Sequence, residues 1–231
     1  MIKRLAIIPA RGGSKRIPEK NIYNFYGKPI ISYSLETASK SKLFDTIHVS
    51  SDSKKILNTV ANLGYKTDFK RPKSLSHDRV GLLKVLQYEL KQFTKINKFF
   101  DVITMIFPTA PLIQSKDLIQ ASKLFEKFKR NYPVLSVSKF PQSLERAFKY
   151  YGEFMCPVDK KKLKFRSQDL PKRFFDTGDF SFHSAKAIEK YKDDSKYYKK
   201  FLPYEISKLK AVDIDDFQDI ALAKLLFKSK I

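Results

Sequence analysis

Cysteine is almost missing from this 231-residue chain. A single residue, Cys156, cannot close an intramolecular disulfide, and that composition suits a reducing compartment. Between Met155 and Pro157 it reads as a small packing residue and not as a nucleophile. Long hydrophobic runs are missing too. Leu5 to Ala10 is too short to span a bilayer and carries no signal-peptide cleavage pattern, so a cytoplasmic protein without a membrane partner is expected. Acidic residues are scarce, with 24 Asp plus Glu against 46 Lys plus Arg and a formal net charge of +22. Such an excess raises nucleic acid as a partner. The lysines, however, are spread along the whole chain, with no RNA-binding aromatic signature or zinc-finger spacing, so nonspecific adhesion at low salt is expected and specific nucleic-acid recognition is not. No linker divides the sequence, and its length suits one domain over residues 1–231.

What is present is an alternation of short apolar runs with helix-patterned segments. Arg4 to Pro9 reads as a buried strand, and Ile30 to Ser39 as a helix with Ile31, Leu35 and Ala38 on one face. Ile47 to Ser50 is a second strand, after which Asp52 or Ser53 caps a helix through Ile56, Val60 and Leu63 that Gly64 stops. A short extended piece, Lys66 to Phe69, leads into Arg71-Pro72, and Val80 to Phe93 has helical spacing. Asp101 to Phe107 is a central strand, Ser115 caps the next helix, and Val134 to Val137 is a further strand. This rhythm predicts an α/β fold: a mainly parallel sheet with helices on both faces and ligands at the carboxyl ends of the strands. Phe140 to Phe182 breaks the rhythm. Phe148 to Met155 reads as a β-hairpin there, and the whole stretch, about 140–182, as an inserted arm.

The first strand runs straight into a glycine-containing cationic loop, Ala10-Arg11-Gly12-Gly13-Ser14-Lys15-Arg16, followed by Lys20-Asn21. Two adjacent glycines let backbone N–H groups approach an anion, and Arg11, Lys15, Arg16 and Lys20 supply charge-assisted contacts, an arrangement suited to a triphosphate. The spacing fits neither a dinucleotide fingerprint nor a Walker P-loop. Near the other end, Val212-Asp213-Ile214-Asp215-Asp216 reads as a strand end that points Asp213 and Asp215 to the same side. Two such carboxylates suit Mg²⁺ beside substrate phosphates. Asp215 or Asp216 is equally placed to cap a helix from Phe217 to Phe227. None of His48, His77 and His183 stands out as a catalytic base.

The run from Ile7 to Asn21 with Gly27-Lys28-Pro29-Ile30 resembles the opening of the cytidylyltransferases that activate nonulosonic acids, the CMP-sialic acid synthetases. Two further motifs follow in the same order. Arg166-Ser167-Gln168-Asp169-Leu170-Pro171 with Asp176-Thr177-Gly178-Asp179-Phe180 resembles the pseudaminic branch of that family, and Asp213-Ile214-Asp215 resembles its D-I-D motif. The resemblance covers nearly the whole chain. It implies a Rossmann-like nucleotidyltransferase domain and transfer of CMP from CTP to a nonulosonic acid with release of pyrophosphate. Legionaminic acid and N-acetylneuraminic acid are the alternative substrates, and a non-catalytic polyanion binder is the distant one.

It also implies residue roles. Arg11 and Lys20 bind phosphates and Gly12, Gly13 and Ser14 offer loop donors, with Ala10, Asn21 and Arg71 completing the nucleotide site. Asp213 and Asp215 hold Mg²⁺. Arg166, Gln168 and Thr109 contact the sugar acid, and the arm packs on a second subunit, making a homodimer. An arginine suits the sugar carboxylate because its planar fork makes two parallel hydrogen bonds; the alternative for Arg166 is a surface ion pair with Asp169. Two departures narrow the match. Phe107 stands where sialic acid synthetases carry a glutamine, which favours the pseudaminic branch. His77-Asp78-Arg79-Val80-Gly81 replaces the small or hydroxylated residues expected near cytosine.

Overall fold

Strand β1, Arg4–Pro9, occupies the span that its apolar run predicts. Its side chains divide between two cores. Ala6 and Ile8 enter one cluster and Leu5 and Ile7 the other, as the two-residue period of a strand requires. The computed structural model describes residues 1–192, 197 and 199–229. After β1 come the short strands β2 (Asn24–Phe25) and β3 (Lys28–Pro29), then α1 (Ile31–Ser41), β4 (Thr46–Ser50), α2 (Lys54–Asn62) and α3 (Leu82–Lys95). β5 (Val102–Ile106), α4 (Ser115–Lys127) and β6 (Val134–Lys139) complete the regular alternation. A hairpin of β7 (Phe148–Tyr151) and β8 (Phe154–Pro157) follows, then β9 (Phe174–Ser184), α5 (Ala185–Lys190), β10 (Leu202–Glu205) and α6 (Phe217–Lys228).

Six strands form the main sheet in the order β10-β6-β9-β5-β1-β4. β1 pairs parallel with β4 and β5, and β6 pairs parallel with β10, whereas β9 is antiparallel to both β5 and β6. Five strands therefore run one way, and the sheet is Rossmann-like. Helices α1, α2 and α4 bury Leu35, Ala38, Val60, Leu118 and Phe125 against one face. On the other, α3 and α5 bury Leu83, Leu86, Phe93 and Ile188. Each fully buried Leu, Ile, Val or Phe contributes about 1.5–3 kcal/mol, so these two layers hold the sheet in register. Among the described residues no helix is long and apolar enough to cross a membrane.

A third apolar cluster positions the site. Ile17, from the loop after β1, packs with Phe25, Ile30, Val212, Ile214, Ile220 and Ala223. Burying Ile17 together with Val212 and Ile214 brings two segments some two hundred residues apart into contact.

The structure departs from the sequence expectations in several places. Phe174–Ser184 is no part of an arm. It is a strand of the main sheet because Phe180 and Phe182 are buried in the sheet's own core. The hairpin forms where expected, with Phe148 facing Pro157 and Tyr151 facing Phe154. Ser115 is the first helical residue of α4 and not its cap; Gln114 holds the cap position, and its N–H donates to Asp117 Oδ2 at 2.9 Å. Lys66 to Phe69 joins no strand. Between the two possible caps of α2, Ser53 takes the role and Asp52 is free for another.

Candidate active site

The loop after β1 and the turn after β4 lie side by side because Pro9 and Ser50 are partners in the sheet and Ala10 N–H donates to Ser50 O at 2.9 Å. Asp52 Oδ1 accepts the Gly12 N–H at 2.9 Å. A Cβ on Gly12 would come within 3.0 Å of Ser53 Cβ, so a glycine is needed for this approach. Gly13 has open space around it. Ser14 N–H turns back onto Gly12 O at 3.1 Å, and Asn21 Nδ2 donates to Arg11 O at 2.8 Å. The Gly12 donor is thus held by Asp52 in this structure. Asp52 is a residue that sequence reading treats only as a cap; its position after the strand beside β1 was the available signal.

These elements enclose a cavity of about 480 Å³ at the carboxyl ends of β1 and β5. Arg11, Ser14, Lys15, Arg16, Lys20 and Asn21 line one side; Arg71, Val80 and Val85 another; Phe107, Pro108 and Thr109 a third, and Asp215 closes the rim. A groove of about 1020 Å³ between α1, α4 and α6 contains no residue of the cationic loop. The smaller cavity is the candidate site because the charged groups converge there. Arg71 is 3% exposed, and its Nε has no partner within the protein. Burial lowers its pKa, while Glu89 and Asp52 nearby oppose that shift. A buried guanidinium with an unmet donor beside an apolar wall is suited to a polar edge of a flat ring.

At the rim, Asp215 pairs with Arg16 at 2.8 Å and with Lys20 at 3.3 Å, and Lys20 Nζ also donates to Ile214 O at 2.6 Å. The segment 211–215 is not the strand expected there: it pairs in no sheet, and Val212 N–H turns back onto Lys210 O at 3.1 Å. Its alternation persists nevertheless, with Val212 and Ile214 buried and Asp213 turned to solvent. Asp216 is the cap of α6, accepting from Gln218 and Asp219 N–H at 2.8 and 3.1 Å, which leaves Asp213 and Asp215 for other work. Partial desolvation first, and the charge of Asp215 second, hold the Asp213 carboxyl above its ordinary range. A divalent cation relieves that kind of crowding, and two carboxylates with water and phosphate oxygens suit Mg²⁺. Among the described residues no three His, Cys, Asp or Glu side chains gather as a closed metal cage.

Beneath Asp213 lies a bulge between β6 and β9. Gly178 sits there with φ +63°, its Cα side facing the Asp213 carboxylate, and Thr177 Oγ1 donates to Ser136 Oγ at 2.8 Å. Asp179 is 2% exposed and its Oδ2 has no partner. Burial pushes its carboxyl up to about 8, with Asp213 and Asp176 adding to the shift. The folded protein therefore keeps a proton on Asp179 that the unfolded chain releases near 3.8. Stability from this group is full below that lower value and is lost as pH rises towards about 8. The stability of the wild type relative to Asp179→Asn should fall between about pH 4 and pH 8, by on the order of a few kcal/mol. Thermal unfolding across that range measures it. Parallel pH dependences would refute a buried neutral carboxyl.

The sugar-site residues do not all meet here. Thr109, 9% exposed, lines the cavity. Arg166 and Gln168 do not. Arg166 has a side chain 74% exposed and pairs with Asp169 at 2.9 Å, so within one chain the ion-pair alternative is what forms. His48 is buried against Phe69 and Phe93, with Glu89 3.2 Å away. His183 is sealed between Ser181 and Tyr197 at 2.7 Å each, and burial lowers its pKa to about 3. Both are core residues. Their apolar neighbours in the strands were the signal.

A cationic glycine loop on the first strand of a Rossmann-like sheet, Asp215 at the rim and a buried arginine beside an apolar wall together suit nucleotidyl transfer. The family model for cytidylyltransferases matches residues 5–228, and this chain belongs to that family. The chain is 39% identical over 98% of its length to a pseudaminic acid cytidylyltransferase of Campylobacter jejuni subsp. jejuni, covering 97% of that protein. It is 27% identical to the CMP-N,N'-diacetyllegionaminic acid synthase of Legionella pneumophila, over 97% of this chain and 96% of that protein. The solved structure of a CMP:2-keto-3-deoxy-manno-octonic acid synthetase in complex with CTP shares the fold, with a TM-score of 0.71 at 13% identity over 99% of this chain and 100% of the other.

Proposed function

We propose that this protein transfers CMP from CTP to a nonulosonic acid, most specifically pseudaminic acid, and releases pyrophosphate. The near full-length likeness to the Campylobacter jejuni enzyme carries the substrate assignment, and the cationic lining of the cavity supports a phosphate-bearing ligand. In this reaction the sugar's anomeric hydroxyl oxygen bonds to the α-phosphorus of CTP as its proton is lost to solvent. The bond from that phosphorus to the bridging oxygen breaks, and pyrophosphate departs with the electron pair. Such transfers depend on in-line positioning and on neutralising charge spread over the phosphoryl oxygens. Arg11, Lys15, Arg16 and Lys20 line one wall of the cavity, where they would hold the triphosphate. Arg71, buried beside Val80 and Val85, would meet the cytosine edge. Asp213 and Asp215 would hold Mg²⁺, which when bound neutralises and polarises the phosphates.

The sugar acid would lie between Thr109 and the Asp176–Asp179 bulge, while Arg166, the cation read for its carboxylate, lines no part of the cavity within one chain. Arg166 of a second copy would supply that cation in a homodimer. Supporting that reading, the hairpin exposes Phe148, Tyr150, Tyr151 and Phe154, with Tyr150 79% exposed, an apolar patch suited to burial in an interface. The test is pyrophosphate release with CTP and a panel of sugar acids. Pseudaminic acid should be preferred over legionaminic and N-acetylneuraminic acids, and preference for either of the latter would overturn the substrate assignment. Arg166→Lys keeps the charge but loses the fork, so it should raise the sugar KM several-fold while CTP binding stays near wild type. If both parameters are unchanged, Arg166 does not bind the carboxylate. Mixed dimers of Arg166→Ala and Arg11→Ala protein should recover partial activity, and verified heterodimers without recovery would place arm and pocket in one chain.

A further inference from the structure

The loop between Arg71-Pro72 and α3 carries one acidic residue, Asp78, which lies across the mouth of the phosphate loop. Asp78 Oδ1 pairs with Arg11 Nη1, and Asp78 Oδ2 pairs with Lys15 Nζ at 2.8 Å. Each carboxylate oxygen thus takes one cation, as two oxygens of a phosphate would. The loop is tied to the turn after β4 by Arg71 N–H to Ser51 O at 2.9 Å, and turns within it are closed by Ser76 N–H to Lys73 O at 2.9 Å and Val80 N–H to His77 O at 3.1 Å. Among the described residues the two Asp78 ion pairs are the polar links from this loop to the phosphate loop. Between them lies a cavity of about 590 Å³, walled by Arg11, Gly13 and Lys15 on one side and by Ser76 to Val80 on the other.

We infer that Asp78 is a specificity-determining residue for the nucleotide, an internal carboxylate that occupies the phosphate-binding cations and must be displaced by the phosphates of the incoming triphosphate. This rests on the reading of the cavity as a nucleotide site. The physical argument is competition. Arg11 and Lys15 cannot serve a phosphate fully while Asp78 holds them, so every anion that binds there must break both pairs. A carboxylate with one charge spread over two oxygens is displaced easily by a triphosphate or pyrophosphate, which carry several charges and more acceptor oxygens, and poorly by a small monoanion. The two cations hold the Asp78 carboxyl below the usual carboxylate range, so the competitor stays charged at neutral pH. The same contact favours release, since Asp78 returns to Arg11 and Lys15 as pyrophosphate leaves. Exposure of both partners keeps the latch weak enough to open.

Calorimetric binding of inorganic pyrophosphate, CTP and cytidine to the whole protein, without metal or sugar, tests this inference. Asp78→Asn keeps the side-chain shape and removes the charge. It should bind pyrophosphate and CTP more tightly by roughly threefold to thirtyfold, with a gain that shrinks as salt is raised. Cytidine, which carries no phosphate, should bind equally to both proteins. Asp78→Ser should reproduce the gain, which guards against an effect peculiar to asparagine. Unchanged or weaker pyrophosphate binding in both variants would overturn the inference, as would an equal gain for cytidine, which would mark a reshaped base pocket and not a released pair of cations. The functional reading fails differently, by wild-type protein binding ATP, GTP and UTP as well as CTP, whatever the variants do with pyrophosphate.

Discussion

Lys20→Ala and Arg11→Ala proteins should fold normally and lose most CTP-dependent turnover, each by roughly thirtyfold to a thousandfold. Both side chains line the cavity, and truncating a charged contact to a desolvated phosphate costs about 2–4 kcal/mol. Lys20 has the greater consequence of the two. Its ammonium bonds to Ile214 O and Asp215 Oδ1, so it connects the phosphate loop to the acidic segment as well as facing the nucleotide. Pyrophosphate release with saturating sugar acid measures the loss, and circular dichroism confirms the fold. A variant that keeps wild-type kcat/KM for CTP would remove that residue from the site.

Asp215→Asn should be the second severe lesion, lowering kcat on the order of a hundredfold and weakening the response to Mg²⁺. The sign of its effect on binding is informative. Asp215 neutralises Arg16 and Lys20 in the free protein, so the variant presents a more positive rim, and its affinity for CTP without metal should hold or rise. Turnover and affinity then move apart. That separation is the mark of a carboxylate needed for the chemical step and not for docking. Activity of the wild type that persists in excess chelator would defeat the metal assignment, and so would a fully active Asp215→Asn protein.

The contrast between Asp52 and Asp215 shows how far the sequence carries. Asp52 follows a strand and precedes a helix, and from sequence alone it competes with Ser53 for the same cap. Only the parallel pairing of β1 with β4 brings it to the Gly12 N–H. Asp215 is legible as one of an alternating acidic pair, and the alternation holds in the structure although no ladder forms there.

The sequence by itself determined the α/β class, the span of β1, a hairpin over Phe148 to Met155, which the structure extends to Pro157, and the cationic character of the loop after β1, because these follow from local periodicity, turn chemistry and residue charge. Tertiary structure alone decided that Phe174–Ser184 is an antiparallel strand inside the sheet, since its neighbours Val102–Ile106 and Val134–Lys139 are distant in sequence. It also decided that Ile17 packs against Val212 and Ile214, which sets Asp215 on Lys20, and that Asp78 reaches Arg11 and Lys15. Long-range burial and charge pairing depend on which distant segments share a surface, and local pattern carries no record of that choice.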